Sequence, residues 1–223
     1  MNFSETPISI VILALTVLAS FAAFNDRELK SKMLFNPYLV KEHGQWYRAL
    51  THAFIHADYM HLAFNMYVFF GFGLTLERVF TDPVNWINVF PDIAFWGVLK
   101  GRIIFILLYV GGFLYSVVPA MKKHSTNPGY NSLGASGAVS AILLAYIILF
   151  PLSTLRLLFI PFEIPAIVMG VGLFAYESYM NKRGGSRVAH DAHISGAIFG
   201  VVFILAVNIK FIGHFIDQMT SFF

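Results

Sequence analysis

Cysteine is absent from the chain. Disulfide staples, thiolate metal centres, iron–sulfur clusters and thiol nucleophiles are excluded with it. Charge is nearly as scarce. Asp, Glu, Lys and Arg make up 12% of the 223 residues, about half of the roughly 25% found in ordinary soluble domains. Apolar residues make up 57%, and the mean hydropathy is +0.69. A soluble core of 25.0 kDa cannot hide that much apolar surface from water. The composition indicates an integral membrane protein, and the length suits about six spans of about 20 residues each. Long basic runs are missing too, with nothing beyond Lys122-Lys123 or Lys182-Arg183. A net charge of +3 therefore offers no contiguous groove for nucleic acid. The basic residues read as juxtamembrane charge.

Apolar runs place the expected spans at residues 8–24, 59–80, 103–120, 135–150, 165–179 and 190–207. The residues before the first run hold no Lys or Arg, so that run reads as an uncleaved span and not a signal peptide. Residues 25–50 form a polar connection with Trp46, Tyr47 and Arg48 as interfacial anchors. Residues 81–100 are broken by Asp82, Pro83, Pro91 and Asp92 and read as interfacial structure. A polar loop is expected over 121–132 and an irregular connection at Pro151, Pro161 and Pro165. A polar turn follows over 181–187, and a short, mildly apolar tail closes the chain. There is no internal repeat or low-complexity segment. The expectation is an all-α membrane protein, a six-helix bundle forming one domain over residues 1–223. Its orientation is not fixed by charge. With the amino terminus in the cytoplasm, Arg78, Lys100, Arg102, Arg156 and Lys210 lie inside and the other ten of the fifteen basic residues outside. The positive-inside rule alone favours the reverse.

Polar residues within spans are costly and usually face a bundle interior or a wet cavity. Ser136 opens the fourth run in Gly134-Ala135-Ser136-Gly137. Its plain reading is a small residue that lets helices pack closely. Its chemical reading is a nucleophile at a helix N-terminus, where unpaired N–H groups suit a developing oxyanion. Such a serine needs a base, and His193 in the sixth run is a candidate. Gly196 and Gly200 share its helical face, so another helix can approach closely there. His61 and Asn65, four residues apart, lie on one face of the second run. They read either as polar glue between helices or as donors to an oxyanion. His52 and His56 share the same spacing, but the residues between them, Ala53, Phe54 and Ile55, supply no catalytic base of the zinc-protease kind. No metal and no cofactor is expected. Arg48 and Glu77 read as structural, anchoring a loop and a helix end. Glu163 and Glu177 lie near the ends of the fifth run and read as wetted, which leaves a transporter without the mid-span acid it needs.

Together these segments resemble the rhomboid family of intramembrane serine proteases. The matching residues are His52, His56, His61 and Asn65, then Gly134-Ala135-Ser136-Gly137, then His193, Gly196 and Gly200, with Trp46-Tyr47-Arg48 upstream and Glu77 at the end of the second run. The resemblance implies Ser136 as nucleophile and His193 as its general base, a dyad without a carboxylate. It also implies an oxyanion hole from His61, Asn65 and the Ser136 N–H. Many relatives stack an aromatic residue under the histidine four positions after the nucleophile. This chain has Ser140 there, which leaves His193 less secured. The family arrangement implies a cytoplasmic amino terminus, a cell inner membrane and an outward-opening site. Its partners would be the lipid bilayer and transmembrane protein substrates that unwind before cleavage, because a membrane helix has its carbonyls engaged. Two other readings remain: a catalytically silent relative that binds membrane helices, and a small transporter or haem-binding bundle built on the histidines.

Overall fold

The computed structural model describes residues 5–82, 97–155, 163–184 and 189–221. Helix α1, Pro7–Asn25, starts with a proline in its first turn, where a missing N–H costs nothing. The next two N–H groups are received by Glu77, with Ile8 N at 3.0 Å from Oε1 and Ser9 N at 2.7 Å from Oε2. The expected polar connection folds into α2, Arg27–Met33, α3, Pro37–His43, and α4, Arg48–Thr51, which ends in a 3-10 turn at His52–Phe54. Asp26, Asn36 and Asp58 cap α2, α3 and α5 by accepting N–H groups of the first turn. Helix α5 runs Tyr59–Thr81, α6 Gly97–Ser116, α7 Val118–His124 and α8 Ser136–Leu149. A two-stranded antiparallel ribbon, β1 Thr154–Leu155 and β2 Ile164–Pro165, pairs Thr154 with Pro165 and Leu155 with Ile164. Then come α9, Ala166–Arg183, α10, His190–Val207, and α11, Lys210–Ser221.

Helix α8 is the centre of the bundle, packed by α5, α6, α9, α10 and α11. Small residues make that possible: Gly137, Ala138, Ala141 and Ala145 are all buried along it. The core around it is Phe69, Phe105, Leu108, Tyr109 and Ile142. Large apolar side chains also face outward, among them Met60 and Phe64 on α5 and Val168, Val171 and Tyr179 on α9. Lipid tails cover such a surface without penalty, whereas water would not.

Among the described residues, four helical stretches are long and apolar enough to cross a membrane: Pro7–Asn25, Tyr59–Thr81, Gly97–His124 and His190–Val207. Three of these match the expected runs closely. The third begins at Gly97, not Ile103, and helix α7 carries through His124 into the expected polar loop. Helix α8 is apolar but only 14 residues long, about 21 Å against a hydrocarbon core of about 30 Å. Helix α9 carries Glu177, Lys182 and Arg183 toward its end. The expected tail is instead helix α11, whose Phe211 is buried and whose His214 Nε2 lies 3.0 Å from the Leu149 carbonyl. The interfacial reading of 83–96 and the readings of Arg156, Pro161 and Arg187 fall outside the described residues.

Candidate active site

Ser136 is the first residue of α8, and the two residues before it are held by the segment between α4 and α5. Gly134 N donates to the His52 carbonyl at 2.9 Å, and Ala135 N donates to His56 Nε2 at 3.4 Å. Gly134 has φ +117°, a conformation that L side chains rarely adopt. A Cβ there would also lie 2.8 Å from His61 Cε1, so a larger residue would displace the His61 ring as well.

His56 accepts at Nε2, so its proton sits on Nδ1 and donates to Ser20 Oγ at 3.0 Å. The Ser20 hydroxyl in turn donates to the Phe54 carbonyl at 3.0 Å, tying α1 to the segment that holds the residues before Ser136. His52 Nδ1 lies 3.1 Å from the Arg48 carbonyl, with the Phe35 and Phe113 rings against it. Burial pushes His52 down to about 4. Burial, reinforced by His61, pushes His56 down to about 3, so both are neutral at physiological pH. Arg48 donates to Gln45 Oε1 and to the Ser31 and Leu34 carbonyls at 2.6, 2.7 and 2.8 Å. These hydrogen bonds all lie within the loop that precedes α5 and its anchors on α1, α2 and α8.

Helix α10 brings His193 to the serine. A Cβ at Gly196 would lie 2.2 Å from the Gly137 carbonyl oxygen, and one at Gly200 would lie 2.1 Å from that of Ala141. A Cβ at Gly137 would likewise lie 2.3 Å from Ser116 Cβ of α6. The glycine face therefore sets α10 directly on the α8 backbone, and His193 Nε2 lies 2.8 Å from Ser136 Oγ.

The other side of the His193 ring meets Glu177, whose Oε1 is 3.0 Å from His193 Nδ1. The second oxygen, Oε2, is 2.5 Å from His190 Nδ1. An ionised carboxylate only accepts, so His193 carries its proton on Nδ1 and presents Nε2 as an acceptor to the Ser136 hydroxyl. The expected dyad without a carboxylate is thus a serine–histidine–glutamate array. Glu177 is not a wetted helix end: its side chain is 19% exposed. His190 was not singled out in the sequence, and Glu177 was assigned to a wetted helix end. The His190–His193 spacing, which puts both rings on one helical face, was the available signal.

His61, Asn65, Ser136, His193 and Glu177 all line one cavity of about 1040 Å³. Asn65 is buried and spends one amide N–H on its own helix, on the His61 carbonyl at 2.9 Å. The amide has a second N–H. The arrangement can activate a hydroxyl and offers donors nearby, and it is partly open to the surroundings.

A family model described as the rhomboid domain matches residues 43–210. The chain belongs to the rhomboid family. Among curated rhomboid proteins it is 28% identical over 204 residues to the mitochondrial RHOMBOID-like protein 12 of Arabidopsis thaliana, covering 89% of this chain and 57% of that one. It is 28% identical over 176 residues to the mitochondrial presenilin-associated rhomboid-like protein of Rattus norvegicus, covering 78% and 38%. It is 24% identical over 203 residues to rhomboid protease GlpG of Haemophilus influenzae, covering 87% and 88%. The chain thus spans a little over half of the Arabidopsis relative and nearly all of the bacterial one.

Proposed function

We propose that this rhomboid-family protein is an intramembrane serine endopeptidase. The observation that carries the reading is the 2.8 Å contact between Ser136 Oγ and His193 Nε2. Ser136 attacks a peptide carbonyl while His193 takes its proton at Nε2. His193 then returns that proton to the leaving amine, and an acyl-enzyme remains on Ser136. Water admitted to the cavity, deprotonated by the same nitrogen, releases the second product. Donors from Asn65, His61 and the Ser136 N–H stabilise the tetrahedral oxyanion. Glu177 keeps the His193 proton on Nδ1 throughout. The presence of both serine and imidazole in contact supports this reading over a silent, helix-binding relative.

In this reading the chain is one domain crossing a cell inner membrane six times with its amino terminus in the cytoplasm. Helix α8 is short, so it starts below the outer surface, and the site opens outward. Substrates are single-span proteins with small or helix-breaking residues near that face, because the scissile segment must unwind to expose a carbonyl. Reconstitution with such a substrate in proteoliposomes tests the function. The wild type is expected to yield two fragments, and Ser136→Ala none. Equal cleavage by Ser136→Ala overturns the reading. A reporter fused after residue 223 is expected to be cytoplasmic, and an extracytoplasmic reporter overturns the orientation.

A further inference from the structure

Proteolysis as proposed uses one imidazole on Glu177, yet two are seated there. His190 is buried, takes the second carboxylate oxygen at 2.5 Å and has no part in the serine chemistry. Helix α10 places His190 and His193 three residues apart in its first turn, and α9 supplies Glu177 from the neighbouring helix. One ligand atom from each of the three residues lies within 4.8 Å of the others. Tetrahedral zinc, with bonds of about 2.0–2.2 Å, sets its ligand atoms about 3.3–3.5 Å apart. The Glu177 contacts of 2.5 and 3.0 Å and the 4.8 Å limit bracket that spacing.

The donor chemistry fits as well. Two imidazoles and a carboxylate with an open fourth position form a zinc-type set, and imidazole nitrogen favours zinc and its late first-row neighbours over magnesium or calcium. Nearby Asp191 does not compete, because it is paired with Lys123 at 2.9 Å. The entry path is the cavity that Glu177 and His193 both line.

We propose that Glu177, His190 and His193 form an inhibitory site for a divalent transition-metal ion of the zinc class. The inhibitory consequence rests on the proposed protease reading, whereas the binding does not. The consequence follows from counting protons on one ring. Without metal, His193 holds its proton at Nδ1 and accepts from Ser136 at Nε2. A metal ion needs the Nδ1 lone pair, so a neutral, ligating ring carries its single proton on Nε2. That nitrogen then has no lone pair for the Ser136 proton. Occupancy removes the base without moving the serine. The His190 Nδ1 proton is likewise displaced, to its own Nε2 or to solvent.

Cobalt(II) titration of detergent-purified Ser136→Ala reports binding with no reference to activity. One equivalent is expected to give the visible absorption of a four-coordinate nitrogen–oxygen site, displaced by Zn²⁺ and lost in the added Glu177→Gln or His190→Gln background. In parallel, Zn²⁺ is expected to slow fluorophosphonate labelling of the wild type, reversibly with chelator. The inhibiting concentration is expected to rise at least tenfold in His190→Gln and His190→Asn, each compared with its own metal-free rate and checked for a single gel-filtration peak. Absence of cobalt bands, or equal zinc sensitivity in wild type and both His190 variants, overturns the proposal. Labelling of metal-free wild type with no cobalt bands leaves the protease reading standing alone. Cobalt bands with no labelling of metal-free wild type overturn the protease reading and the inhibitory consequence together, and leave the metal site.

Discussion

Glu177 Oε1 stands 3.0 Å from His193 Nδ1, on the side of the ring opposite Ser136. This contact supplies what the sequence lacks at position 140. Relatives that carry an aromatic residue there brace the histidine by stacking, whereas Ser140 offers no ring. Here a carboxylate on a neighbouring helix fixes both the orientation of the imidazole and its tautomer. Glu177→Gln presents an amide whose N–H can face Nδ1, which moves the His193 proton to Nε2 and blocks the base. The rate of serine labelling is expected to fall by about 10- to 1,000-fold, less than the roughly 10⁴ of a fully buried triad carboxylate. The thermal unfolding midpoint is expected to stay near that of the wild type. An unchanged labelling rate would remove Glu177 from the mechanism.

The seating of α10 on α8 depends on two glycines. Gly196→Ala and Gly200→Ala put a methyl carbon 2.2 and 2.1 Å from backbone oxygens, and backbone cannot yield as a flexible side chain does. Each is expected to cost about 2–4 kcal/mol and to separate His193 from Ser136. Gly172→Ala on α9 is the control, with nothing within 4 Å of its new Cβ; it is expected to stay within about 0.5 kcal/mol. Thermal unfolding in detergent, read beside phosphonate labelling, distinguishes the two classes. Equal stability of all three variants would contradict the close packing.

The histidine pair around the nucleophile loop makes stability pH-dependent in a definite direction. His52 and His56 are held neutral in the fold, at about 4 and about 3, against 6.5 for a free histidine. Between these values and 6.5 the unfolded chain binds protons that the folded chain does not. Stability is therefore full above pH 6.5 and is lost as pH falls toward 4. A falling unfolding midpoint over this range is expected, with a shallower fall in His56→Asn. A midpoint flat from pH 7 to 4 would contradict the neutral, buried pair.

At the far end of α5, buried Glu77 receives Ile8 N and Ser9 N. It joins a carboxylate to the N-terminal dipole of α1 across nearly seventy residues of chain. Glu77→Ala strands both donors, and a loss of about 2–4 kcal/mol is expected. Limited proteolysis at the α1–α2 junction is expected to accelerate in this variant. Unchanged protection would mean that α1 is held elsewhere.

Much of this arrangement was legible because it is written in local periodicity. Apolar runs end where charges or turn residues begin, so α1, α5 and α10 fall where the runs put them. Gly196 and Gly200 recur on the His193 face, and only close helix packing explains a bare face beneath a histidine. Glu177 was not legible for the opposite reason. Its partner lies sixteen residues away on the next helix, and the pairing depends on how α9 leans on α10, which no local pattern encodes. Its place near a helix end made solvation the simpler reading. Helix α11 was missed because its apolar residues are too few for a span, although Phe211, Ile212, Phe215 and Ile216 recur at helical spacing. Helix α8, by contrast, falls within one residue at each end of the expected run 135–150.

The proposed chemistry requires Ser136 to be a nucleophile activated by His193. A fluorophosphonate probe applied to the purified, metal-free protein, with the adduct located by peptide mass spectrometry, tests it directly. Modification at Ser136 in the wild type, with none there in Ser136→Ala and little in His193→Ala, is the expected result. A well-folded wild type that is not labelled at Ser136, or is labelled equally well in His193→Ala, would contradict it.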